Sequence, residues 1–545
     1  MTHQQFAPIE SKAENWPITR LHKNQKSFLE EVVYRSFTSL RLRYPIDADL
    51  YRMLAQTASR ELARITSDPW ACDPKDDSAF WEAMECAIKN KMGANELLKN
   101  VIERYVGEMR SHFSVSHYQI MAKSVHHIFI NLLKPNCFGF GPKEKRWTLR
   151  CKRLQEKFHI AGEIDIVRAL AKKGTIVIVP THTSHWDSVI IGLAMKRLGL
   201  SPLSWGAGLN LFNNRFFRYL FSQLGTYKID RRKKNIPYLL TQKYYTCLTL
   251  EWGCHTLFYP SGTRSRSGAI ESDLKLGLLG TPFEAQENNF QKQGAYARKL
   301  FIIPVVLNYH CVLEAQQLIR TLADKETAMD SESKPCCCVT KLLLGRNILC
   351  KGSEIFINIG TPLDVMGNRV DIEARSYDAQ GKEVNLYEQF LKLNTTISKR
   401  PDSYIKPLSH KIVEIYYRIN SVLSSHLVAF VAYELAKTIE GFSMQLEKIT
   451  LKREDFMVAL SKAYKAFYIL YKEKKINFTA VLLNGQLSTI ATDGLAKLGI
   501  YHAKPPLVSV KEGNLLIQDL WTLWYYHNRL IGYEVEKIFN IAFRD

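Results

Sequence analysis

The stretch Gly174-Thr175-Ile176-Val177-Ile178-Val179-Pro180-Thr181-His182-Thr183-Ser184-His185-Trp186-Asp187-Ser188 decides the fold. Its first half is a short, continuous apolar run, the pattern of a strand buried on both faces. Helical patterns bracket it. Ile164, Val167, Leu170 and Ala171 share one helical face before it, with Gly174 expected as the C-cap, and a helix is expected from about Asp187 to Leu198 after it. The alternation continues with helices over 214–223 and 236–252 and strands over 226–229, 256–259, 301–307 and 355–359. Such alternation predicts an α/β fold, a mostly parallel sheet covered by helices. Functional side chains of these sheets gather at the carboxyl ends of the strands. His182, Asp230-Arg231, and Arg264 with Arg266 all fall there.

Helical regions flank this core. Residues 1–145 carry apolar positions at helical spacing, among them Phe28, Val32 and Phe37, until Pro135, Gly139, Gly141 and Pro142 break the pattern. The α/β region spans 146–375. Residues 376–545 read as mainly helical: Ile412, Ile415, Ile419, Val422-Leu423 and Leu427 form one amphipathic face, and the tail is rich in Trp and Tyr. Leu451–Val510 loosely suits a winged-helix pattern.

A chain of 545 residues, 46% of them hydrophobic, can bury a sizeable core and divides into two to four domains at roughly 100–200 residues each. The net charge of +21 favours anionic partners: nucleic acid, anionic lipid surfaces or phosphorylated substrates. Positive charge concentrates in Lys143–Arg153 and in Arg231-Arg232-Lys233-Lys234. The 11 cysteines include the consecutive Cys336-Cys337-Cys338 but no C-x-x-C pair, which fits neither a disulfide framework nor a zinc site and suggests a reducing compartment. No signal peptide and no spanning helix are expected; the nearest approach, Ile419 to Tyr433, is interrupted by Asn420, Ser424, Ser425 and His426. Membrane contact is therefore expected to be peripheral or monotopic.

The chemistry follows from residue types. A hydroxyl must lose its proton to attack a thioester, and histidine is the usual base at neutral pH. A carboxylate on the other ring nitrogen orients the imidazole and stabilises its charged form. His182 and Asp187 stand five apart across a strand-to-helix turn, so the carboxylate can fold back onto the ring. Metal ligation by His182, His185 and Asp187 is the alternative, but a binuclear site would want H-x-H-x-D-H, and here Ser184 stands at the third position and Ser188 follows Asp187. The second segment, Phe258-Tyr259-Pro260-Ser261-Gly262-Thr263-Arg264-Ser265-Arg266-Ser267-Gly268, puts two arginines on a small-residue loop after a strand, where paired guanidiniums can grip a phosphate. Asp230-Arg231-Arg232 and Lys275 can add to that positive pocket.

Four ordered blocks resemble the glycerolipid acyltransferases: His182-x4-Asp187; Gly225-Thr226-Tyr227-Lys228-Ile229-Asp230-Arg231; Phe258–Gly268; and Ile303-Pro304-Val305. The segments Ala207-Gly208-Leu209-Asn210-Leu211 and Tyr525-Tyr526-His527-Asn528-Arg529, with the helical flanks, look most like the membrane-bound glycerol-3-phosphate acyltransferases. The resemblance is specific over roughly 160–310.

It implies that His182 is the general base and Asp187 its partner. Arg231, Arg264 and Arg266 would bind the acceptor phosphate, and Gly262 would let the backbone come close to the substrate; Ser261 and Lys275 join them as candidate substrate-binding residues. Ile303-Pro304-Val305 would shape the acyl-donor channel, and backbone N–H groups would stabilise the oxyanion. The reaction implied is acyl transfer from acyl-CoA or acyl-carrier protein to glycerol 3-phosphate, giving lysophosphatidate in phospholipid synthesis, with no metal or other cofactor. The expected location is the cytoplasmic face of an anionic membrane.

Two departures qualify the acceptor. Ser261 replaces the usual glutamate after proline, as in the soluble plastid enzymes. Thr183 replaces the arginine that the glycerol-3-phosphate branch favours after the histidine, as is common in lysophosphatidate acyltransferases. Lysophosphatidate or dihydroxyacetone phosphate is thus the alternative acceptor. A basic nucleic-acid-binding or regulatory protein is the alternative of another class, and a catalytically silent lipid-binding relative a third; the intact His182 and Asp187 argue against the last.

Overall fold

The computed structural model describes residues 6–133, 157–213, 218–219, 221, 223–323, 353–395, 402–446 and 448–542. The basic run 143–153, the Cys336–Cys338 run and most of the helix expected over 214–223 lie outside them.

Seven strands make the central sheet: β1 Phe158–Gly162, β2 Gly174–Pro180, β3 Ser204–Gly208, β4 Thr226–Ile229, β5 Thr256–Leu257, β6 Lys299–Tyr309 and β7 Ile355–Ile359. Their order is β1-β7-β6-β2-β5-β3-β4, and neighbours run parallel except where β6 meets β7. β2 lies at the centre because every one of its residues is buried, so both of its faces need a cover. Gly174 is the C-cap of the preceding helix, as expected, its N–H donating to the Leu170 carbonyl; its extended conformation (φ −157°, ψ −165°) also starts the strand, in register with Lys299.

Helices cover the sheet on both sides. Ile164–Lys173 and Asp187–Arg197 pack into one core with Ile176, Ile178 and Ile303. Leu276–Gln293 and Asp402–Ile419 pack on the other side, against Val177, Val179 and Ile302. The N-terminal helices between Pro17 and Met109 share a separate core with Tyr227 and with the helix Ile236–Glu251.

The C-terminal region is mainly helical, as expected, with one difference. The apolar face read from Ile412 to Leu427 is broken: one helix stops at Ile419, Ser421–Val422 pairs with Asn477–Phe478, and a new helix runs Ser424–Lys437. Asn420 causes the break. Its side chain bonds outward, accepting from Asn308 Nδ2 at 2.7 Å and donating to the carbonyl of Arg529 at 3.2 Å. The helix Ser424–Lys437 is buried from Ser424 through Ala436, inside the core that also holds the sheet. The most membrane-like stretch of the chain is therefore covered by protein. Among the described residues no helix is long and apolar enough to cross a membrane.

Candidate active site

The loop after β2 closes on itself around Asp187, the first residue of the next helix. One carboxylate oxygen, Oδ2, accepts from the backbone N–H of Thr183 (2.6 Å) and Ser184 (2.9 Å) and lies 2.9 Å from His182 Nδ1. The other, Oδ1, accepts from the Tyr309 hydroxyl at 2.6 Å. Asp187 is wholly buried, and both of its carboxylate oxygens are hydrogen-bonded, as a buried polar group requires. With an acceptor at Nδ1, the proton of a neutral imidazole sits there and Nε2 is left bare.

Burial is the largest influence on His182 and pulls its pKa below 6.5; the hydrogen bond and charge of Asp187 oppose this, while the cations Arg264 and Arg231 reinforce it. The ring is thus neutral near pH 7, as a general base must be. It stacks on Tyr259 with centroids 3.7 Å apart, and Tyr259 Oη shares a 2.8 Å hydrogen bond with Ser188 Oγ.

The arginine loop meets the histidine loop directly: Ser265 N–H donates to the His182 carbonyl at 2.8 Å. Arg264 is half-buried, with Nη1 enclosed and lacking a hydrogen-bond partner, and Arg266 sits half-buried on the same loop. Arg231, exposed at the end of β4, lies within electrostatic reach of His182. Gly262 adopts φ +76°, and a Cβ there would come within 2.8 Å of Lys275 Nζ, so the exposed Lys275 lies across this turn. Ser261 Oγ turns back to the Thr263 carbonyl at 3.0 Å. Arg232, read with Arg231 as part of one basic pocket, is instead committed to packing. It pairs with Asp230 and Asp73, and its guanidinium lies 3.9 Å over the Trp70 ring.

Several contributors carried no role in the sequence reading. Glu271 accepts from the His182 N–H at 2.7 Å; burial pushes its pKa up to about 7, and its Oε2 has no partner. Glu314 accepts from the His185 N–H at 3.1 Å and from Ser184 Oγ. The N–H groups of residues 182 to 185 are all taken by Glu271, Asp187 and Glu314, so none is free to meet an oxyanion. Tyr259 belongs to the Phe258–Gly268 segment, and Tyr309 ends a strand expected to stop at Leu307. Glu271 and Glu314 sit in no pattern that spacing reveals.

Ile303-Pro304-Val305 lies inside the sheet and does not line the apolar cavity beside the dyad. Ile303 and Val305 are fully buried in the middle of β6, within the main core. The apolar cavity beside the dyad lies elsewhere. It encloses about 90 Å³ between Tyr118 and Met121 of the helix Val115–Leu133, Val189 and Leu193 of the helix Asp187–Arg197, and Leu203 and Trp205, with Ser188 on its wall. The His185 side chain is exposed, and among the described residues no group of three or more His, Cys, Asp or Glu side chains is placed to hold a metal ion.

Residues 162–308 match the family model described as Acyltransferase. That stretch holds all four sequence blocks and bears out the resemblance at the level of the family. Among solved structures, the 1-acyl-sn-glycerophosphate (LPA) acyltransferase PlsC from Thermotoga maritima is similar over 52% of this chain and 99% of that chain, with 13% identity and a TM-score of 0.24. At those values nothing about the substrate follows from it.

Proposed function

We propose that the protein transfers a fatty acyl group from acyl-CoA or acyl-carrier protein to the hydroxyl of glycerol 3-phosphate, giving lysophosphatidate. The observation that carries this reading is the 2.9 Å His182–Asp187 contact joined, through Ser265 and the His182 carbonyl, to a loop bearing Arg264 and Arg266. His182 Nε2 takes the proton of the acceptor hydroxyl as its oxygen attacks the thioester carbonyl. The tetrahedral intermediate collapses with loss of the thiolate, which recovers the proton from the imidazolium. No acyl-enzyme, metal or further cofactor takes part. Arg264, Arg266, Arg231 and Lys275 hold the phosphate, and the apolar cavity with Ser188 on its wall takes part of the fatty chain. The enzyme works peripherally on the cytoplasmic face of an anionic membrane, drawn there by its positive charge.

The winged-helix alternative has a structural counterpart in the helices Arg453–Lys472 and Leu487–Lys497 and the sheet Ile449–Leu451, Leu515–Ile517, Leu507–Ser509. The helix that would read a groove exposes Ser488, Thr489, Thr492 and Ala496, and its only cation, Lys497, is paired with Glu354 and Asp493. A nucleic-acid backbone would find no free positive charge on that helix, which favours the enzyme.

The test is to assay purified protein with one acyl-CoA against glycerol 3-phosphate, lysophosphatidate and dihydroxyacetone phosphate. The highest kcat/KM is expected for glycerol 3-phosphate. Preference for another acceptor would move the assignment within the family, and turnover with none would end it.

A further inference from the structure

The arginine loop is pinned by residues far outside the matched stretch. Asn528 Nδ2 donates to the Ser267 carbonyl at 2.9 Å, two residues from Arg264 and Arg266 on average, and Gly268 lies so close that a Cβ would come within 2.1 Å of the Tyr525 carbonyl. Asn528 is itself held. His527 Nδ1 lies 2.9 Å from its Oδ1, which turns the amide nitrogen toward Ser267. His527 Nε2 lies 2.7 Å from Glu434 Oε1, and Lys437 closes the series at 2.9 Å from Glu434. Glu434, His527 and Asn528 are each 2% exposed. Burial alone would raise the Glu434 pKa, but its bonds to His527 and Lys437 hold it below the usual carboxylate value. The next residue, Arg529, fixes the same turn to the sheet by donating to the Leu307 carbonyl at 2.6 Å.

A chain of buried polar contacts thus runs from the helix Ser424–Lys437 to the backbone between Arg266 and Gly268. Nothing in it touches the dyad, so its effect falls on the arginine loop. We propose that Asn528 is a positioning residue for acceptor binding, holding the loop that presents Arg264 and Arg266, with Glu434 and His527 as its support. This rests on the proposed phosphorylated acceptor. Misplacing a binding group by about 1 Å can cost far more than its distance from the ligand suggests.

The test uses the full chain with Asn528→Ala and Asn528→Asp; the second keeps the volume but replaces the donor, and serves where the first fails to fold. Glycerol 3-phosphate binding, measured by calorimetry, should weaken roughly tenfold in both. The acceptor KM should rise in parallel, with kcat and the acyl-CoA KM changed less than about twofold. Amide hydrogen exchange of residues 261–271, without ligand, should quicken in both variants. Wild-type binding and wild-type exchange in both would overturn the inference. If the unaltered protein binds no glycerol 3-phosphate, the acceptor assignment fails, and the exchange measurement alone decides whether Asn528 holds the loop.

Discussion

His182 is the residue on which most of the chemistry turns. His182→Ala should lower kcat by at least ~100-fold, the low end for loss of a general base, with an unchanged circular-dichroism spectrum and melting temperature. Its environment also sets a pH dependence. The folded ring resists protonation, so it stays a base down to below pH 6.5 and is lost only as pH falls through its lowered pKa. The acid limb of kcat/KM, which reports the free enzyme, should therefore lie below pH 6.5; a limb above 7 would contradict the assignment. Arg264→Ala removes a cation that depresses that pKa, so its acid limb should move to higher pH while the acceptor KM rises. These two effects in one variant separate a cation shared by the base and the phosphate from an ordinary surface arginine.

Among the elements, the short strand β4 shows how neighbouring cations divide their work. Arg231 stays exposed within reach of the dyad, while Arg232 turns inward to Asp230, Asp73 and Trp70 and so ties the end of β4 to the N-terminal helices. Arg232→Ala would leave Asp230, 4% exposed at its side chain, without its cation. Breaking one side of a buried pair costs about 3 kcal/mol, seen as a lower urea midpoint at unchanged slope. A shift near zero would show the contact to be incidental. The sequence presents the two arginines as one basic run; which faces solvent depends on the distant Asp73.

At the scale of the whole molecule, one hydrophobic core runs from Ile176 and Ile303 in the sheet to Leu427, Phe430 and Phe467 in the C-terminal region. A fragment covering 146–375 alone would expose the surface that the buried helix Ser424–Lys437 now covers. Expressed by itself it should aggregate or lack a cooperative melting transition, as read by size-exclusion chromatography and calorimetry. A monomeric, sharply melting fragment would show the sheet to be self-sufficient.

The amino-acid order by itself determined what short-range pattern can determine. The alternation of apolar strand and helix gave the parallel sheet, and five-residue spacing across a turn placed His182 where Asp187 could meet it. It also gave the loop after β5, because two arginines among Ser, Gly and Thr have few other places to go. Only the tertiary structure decided the rest. Glu271 and Glu314 take the backbone N–H groups around His182, and Asn528 reaches Ser267 from the far end of the chain. It likewise put Ile303-Pro304-Val305 in the middle of β6 and spent the Ile419–Tyr433 stretch on the protein interior. Each of these depends on which distant surfaces meet when apolar area is buried, and spacing along the chain carries no record of that.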